Sequence, residues 1–184
     1  SCWPIICCAI AGRWADVSGA AETRSVSRRL AAAPPYSYKT DPSVPAFDDS
    51  RALIVYDGVC VLCSRTMRAI ARADVSGRIQ FASAQSALGQ ALFRHYRLDP
   101  EAFETVLLVR KGRCFGKLDA VNEVASITGG SWRLVWALRI LPRWMQDHVY
   151  DLVAENRYRL FGRTEACMVP DPEWRNRVID QAQP

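Results

Sequence analysis

The sequence has no apolar run as long as the roughly 18 residues that a membrane-spanning helix requires. It has only two histidines in 184 residues, His95 and His148, and neither has another His or Cys three or four positions away. The body of the chain also has little excess of positive over negative residues. Residues 1–40 hold five Lys/Arg against two Asp/Glu, and the remaining 144 residues hold nineteen against seventeen. This balance argues against a phosphate-binding surface, and we expect no nucleic-acid partner.

Paired cysteines are few as well. Of the seven cysteines, three crowd into the first eight residues, and only Cys60 and Cys63 are near neighbours in the rest of the chain. An odd number with this spacing excludes a small secreted scaffold held by disulfides. The pattern is typical of a reducing compartment, and we predict that the protein is cytoplasmic.

The length suits one domain with extensions at both ends. The stretch before residue 49 combines a short apolar segment, an Arg/Ser/Ala-rich segment and a Pro-rich segment. We therefore predict a poorly structured N-terminal extension over residues 1–48, and we favour a non-native or mis-assigned upstream segment over a targeting signal as its explanation. A domain over residues 49–172 and a tail over residues 173–184 complete the expected organisation.

Hydrophobic periodicity predicts alternating strands and helices in the domain. "ALIVY" is an apolar run ended by Asp57-Gly58, and the apolar spacing changes from that of a strand to that of a helix after Val61. Lys111-Gly112 is typical of a hairpin turn, and Pro142 separates two C-terminal helices. The predicted strands are 52–56, 78–83, 104–110 and 113–116, and the predicted helices are 61–73, 86–96, 119–128, 131–141 and 144–160.

The order β-α-β-α-β-β-α, with a C-x-x-C between the first strand and the first helix, is the thioredoxin-like arrangement. We therefore predict an α/β fold with a three-layer thioredoxin-like core and a helical C-terminal extension.

Cys60 lies at the expected N-terminus of the 61–73 helix, where free backbone N–H groups and the helix dipole favour an anion. Such a position lowers a thiol pKa from about 8.5 into a range of roughly 3.5–7.5. Cys63 is one helical turn away and faces the same side. These positions predict that Cys60 attacks a disulfide and that Cys63 resolves the mixed disulfide, with Arg65 adding positive charge if its side chain folds back.

Asp57 precedes Cys60 by three residues and is a candidate for proton transfer to and from the cysteine pair. The alternative is that Asp57 caps the helix or sets the turn. Gly58 is expected to allow the sharp change from strand to helix.

A metal site is the main chemical alternative. Structural zinc takes four ligands, commonly two C-x-x-C-type pairs. This chain offers one such pair, and Cys114 and Cys167 are isolated. We therefore expect no metal and no other cofactor, and we favour redox chemistry over a non-catalytic interaction or metal-binding module that uses the two cysteines as ligands.

Three stretches of the domain resemble one known family. They are "DGVCVLCSR" (57–65), "FGKLDAVNEVAS" (115–126) and "YDLVAENRYRLFGRTEACMVP" (150–170). In this order they are similar to the motifs of the DCC-type thiol-disulfide oxidoreductases, named for the Asp-x-x-Cys-x-x-Cys of Asp57, Cys60 and Cys63. The resemblance implies a thioredoxin-like fold, a disulfide in a protein or small molecule as substrate, and protein-disulfide reductase activity. The expected electron donor is another dithiol or glutathione.

One position departs from the thioredoxin pattern. Thioredoxin-like proteins generally place a cis-proline before the third core strand, opposite the C-x-x-C. The corresponding stretch here is "AFETVLLV" (102–109), where Thr105 is nearest that position and no proline occurs. We therefore expect the backbone that docks the substrate to differ.

Two C-terminal stretches are open to two interpretations each. Arg157 and Arg159 lie with aromatic residues in "ENRYRLFGR", which indicates either a basic wall that steadies the Cys60 thiolate or cations that stabilise a helix C-terminus. "WRLVWALRILPRW" (132–144) carries three Trp and three Arg. It is compatible with contact to a membrane surface, but packing against the core is the commoner use of such a pattern.

Overall fold

The structure is a computed structural model that describes residues 26–101, 103, 105–130, 140, 142–164 and 175–179. The described helices are α1 (26–32), α2 (Val61–Ala73), α3 (Ala87–His95), α4 (Lys117–Thr128) and α5 (Arg143–Phe161), and the strands are β1 (Ala52–Tyr56), β2 (Ile79–Ser83), β3 (Leu107–Arg110) and β4 (Arg113–Gly116).

The four strands form one sheet in the order β2-β1-β3-β4. β1 is parallel to β2 and antiparallel to β3, and β3 and β4 form an antiparallel hairpin. β1 is therefore flanked on both sides, and all five of its residues are buried. A strand buried on both faces must be apolar throughout, which is why "ALIVY" shows no alternation of polar residues.

Two apolar clusters pack on opposite faces of this sheet. Leu53 and Val55 of β1 face the cluster that includes α1 and α3. Ile54 and Tyr56 face the cluster that includes α2 and α4. The resulting helix-sheet-helix layering confirms the predicted thioredoxin-like α/β fold.

The structure moves several predicted boundaries by one residue and two of them by more. β3 begins at Leu107 rather than at residue 104, and α4 begins at Lys117, two residues before the predicted start. The predicted 131–141 helix lies almost wholly outside the described residues. α5 ends at Gly162, whose φ of +85° is a conformation that favours glycine.

The segment before β1 packs on the core over its described part. Val26, Leu30 and Tyr38 are each no more than 3% exposed and belong to the cluster on the α3 side. Hydrogen bonds that join the His95 ring to Ser37 at 2.9 Å and to Asp41 at 2.7 Å tie this segment to α3. Residues 26–48 therefore include side chains that pack on the core, and the irregular spacing of their apolar residues does not indicate this packing in the sequence. The division of the chain into extension, domain and tail stays a prediction.

Candidate active site

The dithiol lies where the chain leaves β1 and enters α2. The Cys60 backbone N–H donates to the Asp57 carbonyl oxygen at 3.3 Å, which closes a turn between the strand and the helix. Cys60 is the N-cap residue of α2, and its sulfur accepts a hydrogen bond from the Cys63 backbone N–H at 3.3 Å. Gly58 donates its N–H to Gln85 at 3.0 Å, and its φ is not in the left-handed region. The predicted placement of both cysteines at the start of a helix is what the structure shows.

The two thiols differ strongly in acidity. The pKa of Cys60 is lowered to about 6, chiefly by a hydrogen bond from the Cys63 side chain and further by the Cys63 backbone N–H and the Arg157 guanidinium. Burial and the Asp57 carboxylate oppose this shift without cancelling it. The pKa of Cys63 is raised, because its hydrogen bond to Cys60 holds the proton and because partial burial disfavours its charged form. At neutral pH the pair therefore carries its negative charge on Cys60.

The thiol with the lower pKa belongs to the less exposed of the two cysteines. Cys60 is 0% exposed, whereas Cys63 is partly exposed. The residues that follow α5, Gly162–Thr164, lie against the backbone of 59–61, and we call them the covering segment. Cys60 and Arg163 form an antiparallel bridge, and the Thr164 N–H donates to the Val59 carbonyl oxygen at 2.9 Å. The covering segment thus pairs with the backbone of Cys60, the residue whose thiol has the lower pKa, an arrangement that spacing in the sequence does not indicate.

Asp57 is only 4% exposed, and both of its carboxylate oxygens accept hydrogen bonds. Oδ1 accepts from the Gln85 amide at 2.8 Å and from the Val59 N–H at 3.2 Å. Oδ2 accepts from the Tyr158 hydroxyl and pairs with the Arg157 guanidinium at 3.5 Å. A buried carboxylate requires such partners, and here they connect the strand-helix turn to α5.

Gln85 and Tyr158 are the two partners of Asp57 that the sequence-based site omits. Gln85 follows β2, and β2 is parallel to β1, so the carboxyl ends of the two strands bring Gln85 and Asp57 to the same edge of the sheet. The predicted strand order was enough to place Gln85 near Asp57, because the carboxyl ends of parallel strands meet at one edge of a sheet. Tyr158 lies beside Arg157 in the sequence, but nothing in the spacing shows that α5 reaches the dithiol.

Of the two predicted site residues Arg157 and Arg159, the structure places Arg157 beside the dithiol. It is 7% exposed, and it donates to the carbonyl oxygens of Ala154 and Phe103, each at 3.0 Å. Its guanidinium also lies 4.6 Å from the centre of the Tyr158 ring, a distance typical of a cation–π contact. The side chains of Arg65 and Arg159 are exposed instead.

A cavity of about 180 Å³ adjoins the dithiol on the Cys63 side. Thr105, the residue nearest the missing proline, contributes to its wall, as do Asp57 and Arg157 at one end. Thr105 also binds the chain internally, because its hydroxyl oxygen accepts the Lys117 N–H at 2.9 Å. The apolar part of the wall comes from the sheet and from α2, α4 and α5, and includes Ile54, Leu62, Met67, Ile70, Leu108, Val121 and Val153.

Neither a metal-binding cluster nor a membrane-spanning helix is found among the described residues. No three of their His, Cys, Asp and Glu side chains converge in a way that suits a metal ion. No helix within this part of the chain has both the length and the apolar character needed to cross a bilayer.

The sheet order, the two helical layers and the dithiol at the start of α2 define a thioredoxin-like protein with a C-x-x-C site. The profile of the family described as DCC1-like thiol-disulfide oxidoreductase matches residues 54–163. The chain therefore belongs to this family, as its three motifs predicted.

Two relatives support the assignment. The chain is 33% identical over 127 residues to "Uncharacterized protein YuxK" of Bacillus subtilis, covering 69% of this chain and 93% of the relative. It is 31% identical over 121 residues to "DCC family protein At1g52590, chloroplastic" of Arabidopsis thaliana, covering 65% and 70% respectively. No solved structure gives a significant match.

Proposed function

We propose that the protein catalyses thiol-disulfide exchange through Cys60 and Cys63, with the thiolate carried by Cys60. The observation that supports this most strongly is the hydrogen bonding of the Cys60 sulfur at the N-terminus of α2, which lowers its pKa to about 6. Exchange proceeds by attack of a thiolate on a disulfide, and a thiol of low pKa is also a good leaving group. The pair is thus suited both to forming and to releasing a mixed disulfide.

We propose that Asp57 acts as a positioning residue. The sequence suggests proton transfer, but both carboxylate oxygens already accept hydrogen bonds from protein donors. Through its ion pair Asp57 holds Arg157, whose charge lowers the pKa of Cys60. Its effect on the reaction would therefore pass through the charge balance around the dithiol.

The partners we propose are a disulfide in a protein or small molecule and, as electron donor, a dithiol or glutathione. We also propose a reducing compartment such as the cytoplasm, because Cys60 and Cys63 are the only near-neighbour cysteines after the first eight residues of the sequence. Reductase activity is part of the same proposal. Whether the protein reduces or oxidises its substrate depends on the reduction potential of the Cys60–Cys63 pair.

Equilibration of the purified protein with glutathione buffers tests this function. We expect one disulfide, mapped by mass spectrometry to Cys60 and Cys63, to form within the glutathione range and to be lost in both Cys60→Ser and Cys63→Ser. Cys114→Ser serves as the control, because that thiol is buried away from the pair. Bound zinc that is lost in Cys60→Ser, with no disulfide formed, would support the ligand-pair alternative instead.

A further inference from the structure

The thiol with the lower pKa and the thiol with the better access are different residues. Cys60 is 0% exposed and its backbone pairs with the covering segment, while Cys63 is partly exposed and lies in the wall of the cavity. An incoming molecule that approaches through this cavity therefore meets Cys63 first. This geometry bears on which sulfur of an oxidised pair is attacked.

We propose that the thiol that reduces the Cys60–Cys63 disulfide is a small apolar thiol, which enters through the cavity and attacks the sulfur of Cys63. This inference rests on the proposed exchange function. It assigns a chemical class to the thiol that reduces the protein. It also places the mixed disulfide of this reduction step on Cys63, whereas the sequence predicts mixed disulfides on Cys60.

The first step forms a bond between the incoming sulfur and the Cys63 sulfur and breaks the bond between Cys63 and Cys60. The electron pair of the broken bond stays on Cys60 as a thiolate. A second molecule of the same thiol then attacks the sulfur of the first one, which is now bonded to Cys63. The two small molecules leave as a disulfide, and the Cys63 sulfur takes up a proton. Two thiols are oxidised to one disulfide, and the protein disulfide is reduced to a dithiol.

The acidities of the two cysteines favour this direction of attack. A disulfide opens faster when the leaving thiol has the lower pKa. The hydrogen bond from the Cys63 thiol is absent once Cys63 carries the incoming group, but the departing Cys60 sulfur keeps the Cys63 backbone N–H as a donor at 3.3 Å, the N-terminus of α2 and the nearby Arg157 guanidinium, all of which favour its thiolate. Attack on Cys60 would instead require access to a residue that is 0% exposed. Access and leaving-group stability thus select the same sulfur.

The size of the cavity limits the thiol to a small molecule. An apolar protein cavity of about 150 Å³ accepts benzene, so the volume of about 180 Å³ fits a group the size of one aromatic ring. Glutathione, a charged tripeptide, is larger than this and would place only its thiol-bearing part in the cavity. The cavity therefore favours a small apolar thiol as the faster donor and leaves glutathione as a slower one that still equilibrates with the pair.

The polar groups of the wall have partners within the protein, which leaves the apolar side chains to select the ligand. Arg157 is paired with Asp57, the Thr105 oxygen accepts the Lys117 N–H, and the Tyr150 oxygen accepts the Val106 N–H at 3.3 Å. A charged ligand would have to enter an apolar site without a free counter-charge, which is costly.

The first test locates the adduct. The oxidised protein is mixed with benzyl mercaptan, quenched in acid, alkylated and mapped by mass spectrometry. We expect the benzylthio group on Cys63 and the alkyl group on Cys60. A benzylthio group on Cys60 would overturn the proposed route while leaving the exchange function intact. A chain that forms no Cys60–Cys63 disulfide in glutathione buffers would instead overturn the exchange function itself.

The second test fills the cavity. Val121→Phe adds volume to the cavity wall, and Val149→Phe is the matched control, since Val149 is exposed on α5 and does not line the cavity. The readout is the rate of reduction by benzyl mercaptan divided by the rate with 2-mercaptoethanesulfonate. We expect Val121→Phe to lower this ratio by roughly tenfold or more and Val149→Phe to leave it unchanged. Should Val121→Phe not fold, Ala154→Phe on the opposite wall replaces it, and an unchanged ratio in a folded cavity variant would overturn the apolar specificity.

Discussion

The Tyr158 hydroxyl donates a hydrogen bond to the Asp57 carboxylate, although the two residues are 101 positions apart in the chain. This contact joins the end of α5 to the turn that carries the dithiol. Arg157, the neighbour of Tyr158, pairs with the same carboxylate oxygen. The electrostatic environment of Cys60 therefore depends on a helix outside the core of the thioredoxin-like fold.

Replacing Arg157 by Leu should destabilise the protein markedly. The substitution leaves the Asp57 carboxylate buried without its cation, and breaking a buried ion pair in this way costs roughly 3–5 kcal/mol. Urea denaturation of the reduced protein measures the effect. Arg159→Leu is the control on the same helix, and its exposed side chain should cost less than about 0.5 kcal/mol. Equal stabilities of the two variants would contradict the buried network.

Replacing Asp57 by Asn should lower the pKa of Cys60 below its value of about 6. The Asp57 carboxylate raises that pKa through charge repulsion, and Asn removes the charge while keeping an acceptor oxygen. The pH dependence of Cys60 alkylation measures the shift, with Asp99→Asn as a charge-matched control at an exposed position. An unchanged pKa together with slower exchange would favour proton transfer by Asp57 over positioning.

Replacing Thr164 by Pro should expose Cys60. Proline has no N–H to donate to the Val59 carbonyl oxygen, so the covering segment loses a hydrogen bond of 2.9 Å. A loss of about 1 kcal/mol corresponds to roughly fivefold faster alkylation of Cys60 at a pH well above its pKa.

Thr164→Ala separates this effect from that of the side chain. It keeps the backbone N–H bond and removes the bond from the Thr164 hydroxyl to the Val59 carbonyl oxygen, and it should change the alkylation rate less than the proline variant does. Equal rates in the wild-type chain and in Thr164→Pro would show that the covering segment does not limit access.

The reduction potential should change its dependence on pH near 6. Below the pKa of Cys60 both thiols take up protons on reduction, and the potential should fall by roughly 59 mV per pH unit. Above about 6 only Cys63 takes up a proton, because the pKa of Cys60 lies there and that of Cys63 is raised. The slope should then be roughly 30 mV per pH unit. Glutathione titrations at several pH values measure it, and a constant slope from pH 5 to about 8 would contradict the assignment of charge.

The sequence predicts the core of the fold well, because β1 and α2 each carry a strong local pattern. The apolar run of β1, the stop at Asp57-Gly58 and the helical spacing from Val61 agree with the observed bounds. The local pattern also places Cys60 at the N-terminus of a helix, and hence predicts its lowered pKa.

Contacts between distant parts of the chain are what the sequence does not predict. The pairing of Asp57 with Tyr158 depends on where α5 packs, and the enclosure of Cys60 depends on the course of the chain after Gly162. Neither follows from local spacing. The same holds for Leu30, whose burial against the core results from tertiary packing of a segment that has the composition of a linker.

The most direct measurement is the rate of Cys60 alkylation as a function of pH in the reduced wild-type chain, with the modified cysteine identified by peptide mapping. The folded pKa of Cys60 is lowered, so the reactive thiolate is lost as the pH falls through that value and is fully formed well above it. We expect the rate at Cys60 to rise to a plateau with a midpoint near pH 6. A midpoint close to the ordinary thiol value of about 8.5 would contradict the proposal that Cys60 is the thiolate of an exchange catalyst.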